Sequence, residues 1–291
     1  MCDDHTAEGE EAALARRGLT RREFAALGAA IAVAGCVGSA ATAAGSTELK
    51  EGMVAIATAD GMADAFFVHP AKGAHPGVIL WPDVAGLREV KKIMARRLAA
   101  AGYAVLVVNP YYRDAPAPIL QSMSEYRTPE GQAKVAPMRA RLTPELVTRD
   151  AKAFVAFLDG EGAVDKSRKI GTQGYCMGGP FTVRTAAAAP ERVGAAASFH
   201  GGGLAEDKPD SPHRLLSATQ ASYLFAIARN DDAKQPAAKD TLRKAADAAK
   251  RPAEIEVYAA DHGWCVADAP AYDPNEAEKA WDRLLALYAK L

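Results

Sequence analysis

The sequence predicts an α/β protein with a mostly parallel central sheet and helices on both faces. Three observations carry that expectation. Short apolar runs alternate with segments of helical period along most of the chain, an order that packs as strand–helix–strand crossovers. Several runs, such as 77–81 and 103–108, lack any polar alternation, as strands covered on both faces do. The 291 residues, 49% of them hydrophobic, suffice for one large core. A formal net charge of -1 gives no electrostatic ground for a nucleic-acid partner.

Residues 1–45 read as an export signal rather than as fold. Thr20-Arg21-Arg22-Glu23-Phe24 precedes an uncharged run of small apolar residues over 25–37, the charged and apolar regions of a signal peptide. The paired arginines resemble a twin-arginine signal, so a periplasmic or otherwise exported location is expected. The run is shorter than the roughly 20 apolar residues of a membrane span. Ala41-Thr42-Ala43 fits a cleavage site, whereas Val33-Ala34-Gly35-Cys36 resembles a lipobox. The alternatives are a free exported protein and a lipoprotein whose only membrane contact is a lipidated Cys36.

Residues 46–291 form the second unit. Segments 53–58 and 63–69 read as strands joined at the turn signal Asp60-Gly61, a hairpin. After the buried strand 77–81, Leu87, Val90, Met94, Leu98 and Ala101 share one helix face, and Gly102 ends it. The strand 103–108 follows. Residues 110–143 have no clean period and several prolines, so they are expected to form a loop capping a site. A helix over 145–158 comes next. Strands are then expected over 169–174, 194–199, 222–228 and 254–258, and helices over 180–189, 235–249 and 275–289.

Strand–helix alternation alone does not choose among doubly wound folds, so the site decides. Gly174-Tyr175-Cys176-Met177-Gly178-Gly179 follows a strand and opens a helix. Gly-x-nucleophile-x-Gly in that context is the nucleophile elbow of the α/β-hydrolases. Its glycines permit a sharp turn against neighbouring backbone, and the helix N-terminus favours a thiolate. A phosphate loop is the rival, but neither Gly-Lys-Ser/Thr nor Gly-x-Gly-x-x-Gly is present. In this fold nucleophile, acid and histidine follow one another along the chain. Arg229-Asn230-Asp231-Asp232 and Asp261-His262-Gly263-Trp264 each follow an expected strand, in that order.

At these residues the chain resembles the dienelactone hydrolase family. Trp81-Pro82-Asp83-Val84-Ala85-Gly86-Leu87 and Asn109-Pro110-Tyr111-Tyr112-Arg113 add to the likeness, which covers about 53–291. The resemblance implies Cys176 as nucleophile and His262 as base, oriented by Asp231, with adjacent Asp232 as the alternative acid. It implies the N–H groups of Val84 and Met177 as oxyanion hole. It implies that Asp83, standing where the family usually carries glutamate, approaches the cysteine and takes part in its activation, and that Arg113 binds a substrate carboxylate. The family's second anion-binding arginine is replaced by Cys265-Val266-Ala267.

The function expected is hydrolysis of a small ester or lactone through an acyl-enzyme. A thioesterase or general carboxylesterase on the same triad is the alternative among enzymes, and a binding protein that kept the fold is the one outside them. No cofactor is implied, because the chain supplies nucleophile, base and oxyanion donors. His69, His75, His200 and His213 lack metal-ligand spacing, so no metal is expected. Cys265, three residues after His262, raises a disulfide to Cys176 as a further hypothesis.

Overall fold

The computed structural model describes residues 47–291; the expected signal, with Arg21, Arg22 and Cys36, lies outside the described residues. Eight strands form one sheet in the order β1-β2-β4-β3-β5-β6-β7-β8. The hairpin of β1 (Leu49–Thr58) and β2 (Gly61–Pro70) turns at Ala59-Asp60 and pairs antiparallel with β4 (Ala104–Val108). From β4 onward all pairings are parallel, through β3 (Gly77–Trp81), β5 (Ile170–Tyr175), β6 (Val193–Phe199), β7 (Ser222–Ala228) and β8 (Ala253–Tyr258). This is the α/β-hydrolase fold, mostly parallel with helices on both faces, as expected.

Every residue of β3 and β4 is buried, and alternate side chains enter different cores. Leu80, Val105 and Val107 meet α1 (Glu89–Ala100) and the C-terminal helix α8 (Pro274–Tyr288) through Leu98, Leu284 and Leu287. Ile79, Trp81 and Leu106 meet α4 (Pro144–Gly160) and α5 (Gly179–Ala188) through Phe154, Leu158 and Phe181. That two-sided burial explains the unbroken apolar runs in the sequence. Thr143 and Asp273 cap α4 and α8, each followed by proline at the first helical position.

The stretch expected as a capping loop is partly helical. It carries the short α2 (Met123–Tyr126) and the twelve-residue α3 (Pro129–Ala140), in which only Gly131 and Val135 are buried. With so few inward positions, and Pro137 inside the helix, no apolar stripe forms for periodicity to detect. The Gly131 Cα closes on α2: an added Cβ would lie 2.1 Å from the Glu125 carbonyl oxygen. The six-residue α6 (Arg229–Lys234) was likewise not expected; α7 (Ala238–Ala249) follows it.

The chain reverses its winding at β3, with β4 on one side and β5 on the other. A crevice opens there at the strands' C-terminal ends, where sheets of this kind place their sites.

Candidate active site

The turn after β5 puts Cys176 at the tip of an elbow. Its φ is +51°, a left-handed conformation that costs a non-glycine residue on the order of 1–3 kcal/mol. Close packing holds it there. A Cβ on Gly174 would lie 2.0 Å from the Gly178 carbonyl oxygen, and one on Gly178 would lie 2.5 Å from that of Pro82. The thiol, on a residue 9% exposed, borders a cavity of about 760 Å³ together with His262, Asp231, Val84 and Met177.

Asp231 Oδ2 accepts a hydrogen bond from His262 Nδ1 at 2.7 Å, and the His262 backbone N–H donates to Asn230 Oδ1 at 2.8 Å. The β7 and β8 ends are thereby tied together, and the carboxylate fixes the ring's tautomer. The neighbouring Asp232 turns instead to Lys239, 2.6 Å away, so of the two adjacent acids Asp231 meets the histidine. His262 Nε2 is buried and interacts with Cys176. Burial opposes a charged imidazole, but the electrostatic and hydrogen-bond interactions with Cys176 and Asp231 prevail and raise the His262 pKa well above its ordinary value.

Met177 is the second residue of the one-turn helix Cys176–Gly178 ahead of α5, where a backbone N–H has no intrahelical acceptor. Val84 sits in a turn pinned from three directions. Asp83 Oδ1 accepts from the Ala85 N–H at 3.0 Å, the Asp83 carbonyl from that of Gly86 at 2.9 Å, and Tyr111 donates its hydroxyl to the Val84 carbonyl at 2.8 Å. The same hydroxyl lies 3.4 Å from the Met177 sulfur. Tyr111 thus joins the two residues expected to form the oxyanion hole, a role its position in the sequence did not reveal.

Two expected roles do not match the geometry. Asp83 was expected beside the cysteine as an activating carboxylate. It is buried, and its oxygens are occupied by Arg88 (2.7 Å) and Lys91 (2.8 Å). Burial would raise its pKa, yet those cations hold the carboxyl well below the usual range, so it is a fixed anion rather than a proton acceptor. Arg113 was expected to bind a substrate carboxylate. Its guanidinium is held by Asp150 at 2.7 and 2.8 Å and by Asp60 at 2.8 Å, away from the cavity wall. Internal carboxylates already satisfy the geometry that would bind a substrate acid.

His200, at the end of β6, is the residue sequence reasoning undervalued. Its φ is +41°, it is 1% exposed, and its ring packs edge-on against His262 with centroids 4.7 Å apart. Trp264 packs on it at 5.2 Å, and its Nδ1 is buried with no hydrogen-bond partner among the described residues. Burial, with help from His262 and Lys91, lowers its pKa well below the ordinary value and keeps it neutral. The strained backbone at a non-glycine position was the signal, and only coordinates disclose it.

The other expectations resolve simply. Cys176 and Cys265 are both free thiols; Cys265 packs against the core beside α1 and α8, and burial raises its pKa. His69 and His75 bond to backbone carbonyls, and His213 to Ser211. Among the described residues no cluster of three His, Cys, Asp or Glu is arranged to hold a metal.

An α/β-hydrolase sheet with a strained cysteine elbow facing a histidine–aspartate pair defines the class of protein. Residues 63–291 match the dienelactone hydrolase family, and the chain belongs to that family of hydrolases. A protein of Methylorubrum extorquens that carries the name carboxymethylenebutenolidase is 28% identical over 264 residues, covering 89% of this chain and 87% of its own. A Bradyrhizobium protein named as a 2-oxo-3-(5-oxofuran-2-ylidene)propanoate lactonase is 25% identical, covering 76% of this chain and 86% of its own. The crystal structure of a protein named as a dienelactone hydrolase, from Klebsiella pneumoniae, superposes with a TM-score of 0.70 at 22% identity. It is matched over its full length and covers 84% of this chain.

Proposed function

We propose that this hydrolase cleaves a carboxylic ester or lactone through an acyl-enzyme on Cys176, with His262 as base and Asp231 as its orienting acid. The observation that carries the reading is the line from Asp231 through His262, bonded at 2.7 Å, to a cysteine held at φ +51° in a cavity wall. The names borne by the relatives point the same way.

In the proposed reaction Cys176 Sγ attacks the acyl carbon as His262 Nε2 takes the thiol proton. The carbonyl oxygen becomes an oxyanion facing the N–H groups of Val84 and Met177. Collapse breaks the bond to the alcohol oxygen, which leaves with the proton from His262. Water, deprotonated by His262, then attacks the thioester. The acid departs, and the thiolate recovers its proton from His262. For a lactone, acid and alcohol leave as one hydroxy acid.

Turnover of p-nitrophenyl acetate and of a dienelactone by the 46–291 domain, compared with Cys176→Ala, tests this. Hydrolysis by wild type that the variant lacks supports the assignment; equal rates would sink it.

The proposal includes export, supported by Arg21-Arg22 and the apolar run behind them. Fractionating cells that express the full chain should place it outside the cytoplasm, and Arg21→Lys/Arg22→Lys should retain it inside. Mass spectrometry of the mature N-terminus would separate cleavage after Ala43 from a lipidated Cys36.

A further inference from the structure

We infer that the site takes an elongated ester carrying an anionic group about 10 Å from the scissile carbonyl, and that Arg184 is the specificity residue that selects it. This rests on the hydrolase reading above and adds the substrate class to it.

Met177, Pro180, Phe181 and Arg184 all line the cavity; Met177 stands in the one-turn helix just ahead of α5, and spacings of four and three residues place Arg184 on the same side of α5 as Pro180 and Phe181. The row starts beside the nucleophile. Seven residues at about 1.5 Å each carry it about 10 Å from Met177, while helical side chains lean back toward the N-terminus. The stretch between is a thioether, a proline ring and a phenyl ring. A substrate lying along it would have a reactive ester at one end, an apolar middle and a group at Arg184.

Arg184 is poorly matched by the protein itself. Its side chain is 11% exposed. Its NH2 group donates to the Asp210 backbone carbonyl at 2.9 Å but reaches that residue's carboxylate only at 3.4 Å. Asp210 is itself about half exposed. Glu145, the other carboxylate acting on Arg184, is engaged by Thr143 and by its own helix N-terminus. Burial pulls the guanidinium pKa below its ordinary value despite both acids. The contrast with Arg113, gripped by both oxygens of Asp150, is direct. A buried cation short of a tight counter-ion is completed by a ligand carboxylate or similar anion.

The rest of the lining favours the same sign. Arg127, Arg139, Lys208 and Lys234 border the cavity with Arg184, against Glu206, Asp210 and Asp231; Lys208 pairs with Glu206 at 2.8 Å and Asp231 with His262 at 2.7 Å, which leaves the cations in the majority. A compact lactone held at Cys176 would leave the Arg184 end of the cavity empty.

The test is a length series in which either half of the ester carries the acid. One set is the p-nitrophenyl half-esters of dicarboxylic acids from succinic to sebacic. The other is the acetate esters of ω-hydroxy acids of matching length. Each is compared with its methyl-capped neutral counterpart. In at least one set the acid-over-neutral ratio of kcat/KM should exceed unity and peak where the chain spans about 10 Å. Arg184→Gln should lower that ratio about tenfold, the worth of one charge-assisted contact. Asp210→Asn, which removes the competing anion, should raise it. Arg113→Gln should leave the ratio in place, and a ratio does not depend on how much protein is folded. No acid preference at any length, or a preference indifferent to Arg184→Gln, overturns the inference. If no ester of either kind turns over, the hydrolase reading fails on its own. Calorimetric binding of octanedioate to Cys176→Ala, with and without Arg184→Gln, then decides the anion site. Binding that needs Arg184 upholds it, and its absence overturns it.

Discussion

Asp83 and Asp231 occupy equivalent places, each a few residues beyond the C-terminal end of a parallel strand at the same sheet edge, yet their surroundings assign them opposite work. Asp231 is a quarter exposed and has a titratable ring as its partner. Asp83 is enclosed, with Arg88 and Lys91 as partners. One carboxylate can follow a histidine through protonation and deprotonation; the other neutralises the buried cations beside it and props the Val84 turn. Chain position puts an acid at the crevice, and the partner decides whether it is held as a counter-ion or, in the proposed mechanism, takes part in chemistry.

The sharpest way to break the comparison is to neutralise each acid without changing its shape. Asp231→Asn should lower kcat/KM for an ester by about a thousandfold, because the wrong His262 tautomer is then favoured, with little change in unfolding free energy. Steady-state kinetics beside urea unfolding would show it. Asp83→Asn should do the reverse to the balance, costing about 3 kcal/mol of stability by leaving Lys91 buried without its counter-ion. The urea midpoint measures that loss, and adding Lys91→Met should recover part of it. If Asp83→Asn instead abolished activity in a protein of wild-type stability, the distinction drawn between the two acids would fall.

The same pair separates in pH. Asp83 has its pKa depressed in the folded state, so its contribution is full above the unfolded carboxylate value near 3.9 and is lost as pH falls through the lower folded value. The stability gap between wild type and Asp83→Asn should therefore hold from neutral pH to about 4 and shrink below it. His262, with its pKa raised by Cys176 and Asp231 against burial, contributes fully below about 6.5 and less as pH rises through the folded value.

The smallest expected effect concerns His200, which feels His262 on one side and the Lys91–Asp83 pair on the other. Tyr175 and Trp264 complete its surroundings. Its lowered pKa means that neutral His200 is favoured in the fold, so stability is full above the unfolded value near 6.5 and falls as pH drops below it. His200→Phe should flatten the wild-type decline between pH 6.5 and 5 by about 1 kcal/mol, read from urea midpoints at the two pH values. An unchanged slope would mean that His200 titrates like an exposed histidine.

Most of the fold could be read from residues close in sequence. The runs at 77–81 and 103–108 became buried strands because both sheet faces are covered, and the Gly174–Gly178 spacing located the elbow because Gly174 closes on Gly178 within the turn itself, although Gly178 also closes on Pro82 of a distant strand end. Helix α3 escaped notice because its neighbours are α2 and a cavity, so it needed few apolar positions. At the site, the order cysteine, acid, histidine was visible, whereas Asp231 and Asp232 were distinguishable only once Lys239 had claimed one of them.

What the sequence determined by itself was local: strand and helix periods, the glycine-flanked nucleophile, and the acid and histidine at successive strand ends. Tertiary structure alone decided the electrostatics. Arg88 meets Asp268 across 180 residues of chain, Arg113 meets Asp60 across 53, and His262 meets Asp231 across 31. Pairings at such separations leave no periodic trace, because the fold, not the spacing, brings the charges together. Strong dependence of charge on its partner and on burial then makes one aspartate a counter-ion and another the partner of a histidine.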